Sequence, residues 1–566
     1  MNKLNFSWLA LLACPLLLSG NPAGDARSIL AQSKVTGGLI VHLGCGNGEL
    51  LAELGKDERF LVHGLERDPS KLSSARESIR KNGSYGRVSA ERWIDSTRLP
   101  YSDNLVNLLV IEDSGELDDD EILRALRPLG TVLRRTDEGW KATGKEWPED
   151  IDEWTHFMHG PDGNAVSTDK RVGPPRHLQW VGDPKFSRAH EQTASFSVAV
   201  TTRGRMFYVL DEAPAVDIRV PSQWSLIARD AFNGVILWKR PMGNWLNQFR
   251  RFRAGPANLP FRLVAKEDKV FVTMDFEGPV HMIDAATGKT LKVFEGTEKT
   301  KQIIYVDGML TLLRDDEVGQ MSKIDDFRRR GEFMKHHCHL MRVDVESGKK
   351  LWETNVDDLV FPCLAQKDGR IFAQTPKRVF AVDYKTGKQD WSMDFTSVLP
   401  ISGGKIRTGE MQWESPTLVA GDGIIYAADF KKSRAYEAET GKVLWEGSSS
   451  TGYNAPADLL LINDLVWMGG KGSRRAIDPK TGEDVKSFKN TGGYMHARCY
   501  RNKGTEKYIM MGLMGVQMVD LENGEIYMND WVRGTCQFGV MPANGMLYVP
   551  PDSCACNMKT KLSGIY

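Results

Sequence analysis

The chain has 566 residues, of which 41% are hydrophobic and 26% charged, so it has the composition of a soluble globular protein and is too long for one compact domain. Lysine plus arginine equals aspartate plus glutamate at 74 each, so no net charge attracts it to nucleic acid or to an anionic membrane. We therefore expect no nucleic-acid partner, while a local basic patch stays open.

The first residues have the pattern of a secretory leader. Lys3 precedes an apolar stretch at residues 8–18, which is too short to span a bilayer, since a spanning helix needs about 20 residues. Small residues follow and fit a cleavage site. We predict that residues 1–26 are a signal peptide, that no transmembrane segment remains after its removal, and that the protein is periplasmic or secreted. Lipidation at Cys14 is the less favoured alternative, because that processing box would divide the apolar stretch.

Residues 35–140 alternate apolar strand-like runs with helix-like runs. GLIVHL and FLVHGL are followed by ELLAELGK and PSKLSSARESIRKNG, and this alternation predicts a Rossmann-like domain, a parallel sheet flanked by helices. The first strand ends in a glycine-rich turn, where the backbone can approach a ligand closely. One acid follows the second strand, where it could accept hydrogen bonds from a ribose, and another follows the third. These residues are Gly44, Gly46, Gly48, Glu66 and Asp95.

In this order, and with a Leu-Arg-Pro step at residues 126–128 before the last strand, the segment resembles a class I S-adenosylmethionine-dependent methyltransferase. The resemblance implies that the three glycines line the methionine end of the cofactor. It also implies that Glu66 holds the ribose and Asp95 the adenine edge. S-adenosylmethionine is therefore one possible cofactor of this chain.

Three departures from that family favour a degenerate module used for docking or stability. His42 stands where the family usually has an acid. After Leu133 there is little room for the usual closing strand pair and no evident substrate-binding insert. Export would also separate the module from a cofactor that is made in the cytosol. A working methyltransferase is thus an alternative function.

Residues 141–170 form a linker that is polar and aromatic rather than rich in glycine and serine. Two interpretations stay open. The segment could lie across one face of the following domain and donate side chains to its central cavity, or it could be an ordered linker packed by its own aromatics. The residues in question are Trp154, His156, His159, Asp162 and Asn164.

Residues 171–566 repeat an acidic residue followed four positions later by glycine. The glycine supplies the positive φ of a hairpin turn, and the acid can accept hydrogen bonds from the turn's amides. Strand-like runs such as RMFYVL and GIIYAA precede the turns, and in four copies a tryptophan follows. The pairs are Asp230/Gly234, Asp284/Gly288, Asp344/Gly348, Asp383/Gly387, Glu437/Gly441, Asp478/Gly482 and Asp520/Gly524.

The acids are spaced by about 40 to 60 residues, close to the length of a four-stranded propeller blade. Seven turns are visible and a partial repeat begins at Gly545, so we predict eight blades. Residues 177–182, which contain Trp180, have the pattern of an orphan outer strand, and we expect them to close the ring with the C-terminal repeat. The predicted architecture is a small Rossmann-like α/β domain followed by an all-β, eight-bladed propeller.

The acid-x-(Thr/Ser/Asn)-Gly-x-x-x-Trp pattern resembles the repeat of pyrroloquinoline-quinone-like propellers. That superfamily includes quinoprotein alcohol dehydrogenases and a non-enzymatic lipoprotein of the outer-membrane β-barrel assembly machinery. In the dehydrogenases a tryptophan and a disulfide between adjacent cysteines enclose the quinone, and Glu, Asn and Asp hold calcium. This chain has no adjacent cysteines, Cys554 and Cys556 being the nearest pair, and no calcium set that a motif can place. Pyrroloquinoline quinone with calcium is a second possible cofactor, and a quinone-dependent dehydrogenase is the main enzymatic alternative.

A histidine-rich run, MKHHCHL at residues 334–340, suggests a metal cluster. On a strand, His336 and Cys338 point to one face while His337 and His339 point to the other, so at most two ligands converge locally. We therefore expect no metal site unless donors come from elsewhere in the chain. The cysteines of the propeller leave the disulfide pairing open.

Propellers gather side chains from the innermost strand of each blade around a central funnel. We predict an exported cell-envelope protein that binds or scaffolds through the propeller, with an envelope protein, a small molecule or a glycan as partner. Residues with no evident packing role are candidates for ligand contacts in the funnel: His190, Trp224, Arg253, Trp413, Glu414, Asn454, His496 and Arg498.

Overall fold

The computed structural model describes residues 21–185, 196–216, 220–243, 259–318, 336–359, 361–396, 401–402, 405–406, 416–429, 431–450, 455–469, 473–489, 500–512, 515–552 and 562–566. Within these ranges the chain forms an α/β unit and a β-propeller. No helix in them is both long and apolar enough to cross a membrane.

The α/β unit consists of α1 (Pro22–Ser33), β1 (Gly38–Leu43), α2 (Glu49–Leu54), β2 (Phe60–Glu66), α3 (Pro69–Lys81), β3 (Val88–Arg92), β4 (Val106–Ile111), α4 (Asp119–Ala125), β5 (Leu126–Thr136) and β6 (Gly139–Gly144). The sheet order is β3-β2-β1-β4-β5-β6, with β1 to β5 parallel and β6 antiparallel to β5. β1 and β4 are buried along their whole length, as expected for a parallel sheet covered on both faces. The Rossmann-like topology is confirmed.

Two details of the α/β unit differ from the sequence expectation. Helix α1 starts at Pro22 and buries Ala26 in the core, so the folded unit begins ahead of residue 35. β6 supplies one antiparallel strand beside β5, although the sequence indicates little room there. Of the predicted signal peptide at residues 1–26, residues 1–20 lie outside the described ranges and residues 22–26 lie in α1, so the signal peptide stays a prediction.

The linker contributes a short strand, β7 (Val166–Ser167), and the first four blades follow it. Blade 1 contains β8 (Phe196–Thr202), β9 (Arg205–Asp211), β10 (Trp224–Asp230) and β11 (Ile236–Pro241). After a 3-10 helix at Leu259–Arg262, blade 2 contains β12 (Leu263–Lys266), β13 (Lys269–Thr273), β14 (Val280–Asp284) and β15 (Thr290–Phe294). Blade 3 contains β16 (Thr300–Val306), β17 (Met309–Asp315), β18 (Cys338–Asp344) and β19 (Lys350–Asn355). Blade 4 contains β20 (Leu364–Lys367), β21 (Arg370–Gln374), β22 (Arg378–Asp383) and β23 (Gln389–Asp394).

A small hairpin, β24 (Ile401–Ser402) and β25 (Lys405–Ile406), separates blade 4 from blade 5 in the chain. Blade 5 contains β26 (Thr417–Ala420), β27 (Ile424–Ala428), β28 (Lys432–Glu437) and β29 (Val443–Ser448). Blade 6 contains β30 (Asp458–Ile462), β31 (Leu465–Gly469), β32 (Ser473–Ile477) and β33 (Asp484–Lys489). Blade 7 contains β34 (Lys503–Thr505), β35 (Tyr508–Met511), β36 (Val516–Asp520) and β37 (Ile526–Asn529), with β7 added beside β34. The last hairpin contains β38 (Met541–Ala543) and β39 (Met546–Tyr548).

The described residues thus form seven four-stranded blades, which corrects the predicted number of eight. The eighth repeat is the two-stranded hairpin β38-β39, and two short segments extend it. Val549 and Tyr566 exchange two backbone hydrogen bonds of 2.9 Å, and Gly182 and Ile565 exchange two of 2.8 and 2.9 Å. These segments stand where a third and a fourth strand would lie, but they pair too briefly to form a full sheet.

The tryptophan of each repeat that has one packs on the turn of the next blade. Trp391 of blade 4 donates its indole N–H to the carbonyl of Ala438 in blade 5 at 3.0 Å. Gly441 of the same turn has a φ of +74°, and a Cβ there would lie 2.6 Å from the Trp391 ring. Trp180 makes the corresponding bond, 2.9 Å to Ala231 of blade 1, and so closes the ring as the sequence predicts. At the turn of blade 5, Gly441 is therefore required both for its positive φ and because a side chain there would collide with the Trp391 ring.

Candidate functional site

The glycine turn and Glu66 lie at the carboxyl edge of the parallel sheet. Gly44, Gly46 and Gly48 have φ angles of +71°, +57° and +76° between β1 and α2. Glu66 ends the neighbouring strand β2 and is buried. The structure therefore brings these residues together, while their role toward a cofactor stays a prediction.

Backbone amides of the protein donate hydrogen bonds to the Glu66 carboxylate. Its Oε2 accepts a hydrogen bond from Gly46 N–H at 2.8 Å, and its Oε1 accepts bonds from the amides of Arg67 and Asp68 at 2.9 and 3.0 Å. Because three donors already use the carboxylate, little of its accepting capacity remains for ribose hydroxyls. An ion pair between Arg67 and Asp113 also joins the ends of β2 and β4, the two strands that flank β1.

Asp95 has a local role in the structure. Its Oδ1 accepts hydrogen bonds from the amide and the hydroxyl of Thr97 at 3.0 and 2.6 Å, and these bonds lower the pKa of the carboxyl. The side chain is exposed and lines a groove between the two units, whereas Gly46 and Glu66 do not line that groove. The structure therefore places Asp95 in a groove that the glycine turn does not line, and its role toward S-adenosylmethionine stays a prediction.

The α/β unit is fixed to the propeller through the opposite edge of its sheet. Asp230, in the turn of blade 1, accepts a hydrogen bond from Asn107 Nδ2 at 2.7 Å and forms an ion pair with Arg127 Nε at 3.1 Å. Asn107 Oδ1 in turn accepts bonds from the amide of Leu39 at 2.8 Å and from Asn233 Nδ2 at 2.6 Å. Asn107, Asp230 and Arg127 are buried. Because polar groups of both units satisfy one another away from water, the interface holds the units in one arrangement.

The linker crosses the propeller axis as an axial segment, defined here as residues 152–166. It passes the innermost strands of the blades in their order around the ring. Its carbonyl oxygens accept backbone hydrogen bonds of 2.7–3.0 Å from blades 1, 2, 4, 5 and 7, at Trp154, Thr155, Pro161, Asp162 and Ala165.

Further contacts of the axial segment complete the circle. His156 Nε2 accepts a hydrogen bond from the amide of Tyr305 in blade 3 at 3.2 Å. Asn164 exchanges bonds of 3.0 and 3.1 Å with the backbone of Leu461 in blade 6. The carbonyl of Asp152 accepts a bond of 2.7 Å from the turn that follows β38. The first interpretation of the linker is confirmed: the segment lies across the propeller and contributes to its central cavity.

The axial segment forms the floor of a cavity of about 90 Å³, the axial cavity. Its wall comes from the beginnings of the innermost strands and is mainly apolar. Polar contacts are offered by Gln302, Gln537 and the Cys363 thiol. Arg501 is the one cationic side chain among the described lining residues, and no carboxylate occurs among them. Such a lining suits a small ligand with an apolar body and an anionic group.

Arg501 is a cation in a site with little solvent. Its guanidinium donates hydrogen bonds to the carbonyls of Gly163, at 2.8 Å, and Leu459, while its Nε has no hydrogen-bond partner among the described residues. Burial lowers the pKa of Arg501 to about 10, which is still well above neutrality. Burial and the neighbouring His159 lower the pKa of His156 to about 3, so that imidazole is neutral. Arg501 is therefore the charged group of the described lining, and the carboxylates of Asp162 and Asp458, which do not line the cavity, partly offset the effect of burial on its pKa.

Lys503, also buried, follows Arg501 by two residues and begins the innermost strand β34. Its Nζ lies 3.8 Å from the ring centroid of Phe538 and 4.9 Å from that of Trp154, and it has no hydrogen-bond partner among the described residues. Burial and repulsion by Arg501 hold its pKa well below the usual range. Aromatic faces thus accompany the Lys503 side chain at the axis.

Of the predicted funnel candidates, the structure describes Trp224, which begins β10, is buried and does not line the axial cavity. Arg501 and Gln302 are cavity residues that the sequence analysis missed. The sequence contains a signal that could have identified them, because each is a polar residue close to the start of an innermost strand. The remaining candidates lie outside the described ranges: His190, Arg253, Trp413, Glu414, Asn454, His496 and Arg498.

The histidine-rich run supplies two donors, as predicted, and gains a third from another strand. The register pairs Asp315 of β17 with Cys338 of β18, and His336 Nδ1 lies 2.7 Å from Asp315 Oδ2. Lys301 Nζ lies 3.0 Å from the same oxygen, and both groups are buried. Because an ammonium group already neutralises the carboxylate, the cluster is a satisfied ion-pair network that requires no metal.

The described part of the axis does not fit a calcium-bound quinone. Calcium takes oxygen ligands, commonly carboxylates, and no carboxylate occurs in the described lining of the axial cavity. Cys554 and Cys556, the nearest counterpart of the adjacent cysteines, lie outside the described ranges.

No protein-family model and no curated protein matches this sequence. Over 20% of this chain, the α/β unit is similar to a Methanococcus maripaludis protein described as an S-adenosyl-L-methionine-dependent methyltransferase, with 24% identity, 53% of that chain covered and a TM-score of 0.18. A similar share matches the geranyl diphosphate C-methyltransferase of Streptomyces coelicolor A3(2), with 16% identity, 44% of that chain covered and a TM-score of 0.19. The chain thus spans about half the length of these methyltransferases.

Over 73% of its length, the chain is similar to the quinohemoprotein alcohol dehydrogenase of Comamonas testosteroni, with 12% identity, 80% of that chain covered and a TM-score of 0.42. All three TM-scores lie below 0.5. The function of the chain is therefore inferred from its own contacts.

Proposed function

We propose that this chain is an exported, non-catalytic binding protein whose propeller axis takes a small ligand with an apolar body and an anionic group. The observation that carries the proposal is the axial cavity, an apolar chamber around Arg501 with no carboxylate among its described lining residues. The leader pattern at residues 1–26 supports export.

An anionic ligand would supply a negatively charged group, which the described lining of the cavity lacks. Asp162 and Asp458 interact with the Arg501 charge from outside the lining, and a ligand carboxylate that reaches the guanidinium would add charge-assisted hydrogen bonds inside the cavity. The unused Nε of Arg501 offers a donor for such a bond. The apolar wall would bury the body of the ligand, which adds a hydrophobic contribution in proportion to the area covered.

The α/β unit would then serve as a fixed support. Its cofactor-type groups are engaged with one another at the carboxyl edge, through Gly46 and Glu66 and through Arg67 and Asp113. Its opposite edge is bound to blade 1 by Asp230. A support of this kind needs neither a substrate site nor a cofactor.

We expect S-adenosylmethionine to bind no more tightly than millimolar, roughly 4 kcal/mol of binding free energy. The physical reason is that backbone amides already use the Glu66 carboxylate. Isothermal titration calorimetry of the purified protein measures this affinity. Micromolar binding that is lost in Glu66→Ala but kept in Glu58→Ala, whose side chain is 89% exposed, would contradict the support role.

We expect no redox activity when the protein is exported in a host supplied with pyrroloquinoline quinone and calcium. The described lining of the axial cavity has no carboxylate that would hold the metal which polarises the quinone. The measurement is alcohol- or sugar-dependent dye reduction, compared with a heat-killed control. Reduction that disappears on chelation and returns with calcium would replace the binding proposal by a quinone-dependent dehydrogenase.

A further inference from the structure

A groove outside the axial cavity runs between the α/β unit and the propeller and continues along the linker and the last hairpin. It has two parts of about 890 and 490 Å³, which are continuous because they share lining residues from the end of the linker and from the last hairpin. The shared residues are Arg171, His177, Gln179, Gly545 and Met546. Binding sites often occur in such clefts between two units.

The groove concentrates positive charge in a chain whose charges otherwise balance at 74 each. Seven lysine and arginine side chains line it against two carboxylates, Asp95 and Asp103. Both carboxylates already have partners within the protein: Asp95 accepts a hydrogen bond from Thr97, and Asp103 forms an ion pair of 2.8 Å with Arg124. Four of the cations are exposed and have no side-chain hydrogen bond or ion pair with any described residue: Arg92, Arg98, Lys170 and Arg176.

The walls of the groove are held in place before any ligand arrives. One wall belongs to the α/β unit and the other to the linker and the last hairpin. The buried contacts of Asp230 with Asn107 and Arg127 fix the two units to each other. A preformed groove loses little conformational entropy on binding, so its charges can contribute to affinity directly.

We propose that this groove binds an acidic polysaccharide. Arginine forks match sulfate and carboxylate groups, and their spacing along a groove suits a chain that carries such groups repeatedly. Exposed apolar side chains, Ile94 at 85% and Leu178 at 40% exposure, are available to the faces of sugar rings. Single-stranded nucleic acid would need free aromatic faces for its bases, but most aromatic side chains of the groove are buried: Trp93, Trp180, Phe232, Tyr508 and Tyr548.

The test measures binding of dextran sulfate, neutral dextran and a short DNA duplex to the purified full chain at physiological ionic strength. The groove variant combines Arg92→Glu, Arg98→Glu and Arg176→Glu. The control variant reverses the same number of charges on the exposed turns of blades 2, 3 and 5, by Lys289→Glu, Lys349→Glu and Lys442→Glu. Thermal melting checks that both variants remain folded.

We expect the wild type to bind dextran sulfate and not neutral dextran, and we expect its affinity for dextran sulfate to fall as salt is added. The groove variant should bind dextran sulfate more weakly by at least about tenfold, or about 1.4 kcal/mol, while the control variant should stay within about twofold of the wild type. Equal weakening of both variants would overturn the proposal, because the effect would then follow net charge rather than the groove. Tighter binding to the DNA duplex than to dextran sulfate, or no binding to dextran sulfate, would also overturn it.

Discussion

Asp230→Ala is expected to lower the free energy of unfolding by about 3–5 kcal/mol, since removing one partner of a buried ion pair leaves the other charge uncompensated. The partners left behind are Arg127 and Asn107, which are both buried at the interface of the two units. Denaturant unfolding followed by tryptophan fluorescence measures the loss. We also expect the α/β unit to unfold in a separate, earlier transition, because its main polar attachment to the propeller is gone.

The matched control is Asp383→Ala in blade 4, at the equivalent position of the repeat. Asp383 only caps its own turn, where Oδ1 accepts bonds from the amide and hydroxyl of Thr386 at 2.8 and 2.7 Å. Loss of such a cap costs typically about 1 kcal/mol. If both substitutions destabilise the protein equally, Asp230 has no role beyond its turn and the interface is not held in the way described.

Trp154→Ala is expected to destabilise the propeller by about 3–5 kcal/mol, the range measured for truncating large buried aromatic side chains. Trp154 has 0% exposure, and its indole N–H donates a hydrogen bond to the carbonyl of Phe157 at 3.2 Å. Its ring also covers the Lys503 ammonium group. The substitution therefore loosens the axial segment, and the innermost strands lose a common partner.

The control for this substitution is Trp531→Ala, whose side chain is 56% exposed. Surface substitutions of this kind usually change stability by no more than about 0.5 kcal/mol. The midpoint and slope of a guanidinium unfolding curve give both values. A Trp154→Ala protein as stable as the Trp531→Ala protein would show that the axial segment does not brace the blades.

The propeller is predictable from sequence because its repeat is local. Acid, glycine and the strand-like runs of each copy lie within a few residues of one another, and turn geometry follows from them. The docking of Trp391 on the turn that contains Gly441 is not local, yet the same spacing recurs along the chain and makes the packing inferable. The last repeat is not local, since Gly182 pairs with Ile565, and the sequence predicts this closure through residues 177–182 but not its shortness.

The candidate site was less accessible to sequence reasoning, because its contacts are remote in sequence. Asn164 is hydrogen-bonded to Leu461, 297 residues away, and no periodic pattern in the sequence predicts such a pair. The glycine turn near Glu66 has a local signature, but the hydrogen bond between Gly46 and Glu66 that engages the carboxylate appears only in three dimensions. Likewise, Arg501 becomes notable only when the fold shows a cation in an apolar chamber.

The binding role of the axial cavity is tested most directly by comparing isobutyrate with isobutyramide, which has the same apolar body without the charge. Ligand-observed NMR on the purified protein measures both affinities. We expect isobutyrate to bind at least about tenfold more tightly, a difference of about 1.4 kcal/mol, because Arg501 favours the carboxylate. Arg501→Gln should abolish this preference, and Cys363→Met, which fills the cavity, should weaken both compounds. Equal binding of the two compounds to the wild type, no binding of either, or a preference that survives Arg501→Gln would contradict a ligand site at the propeller axis.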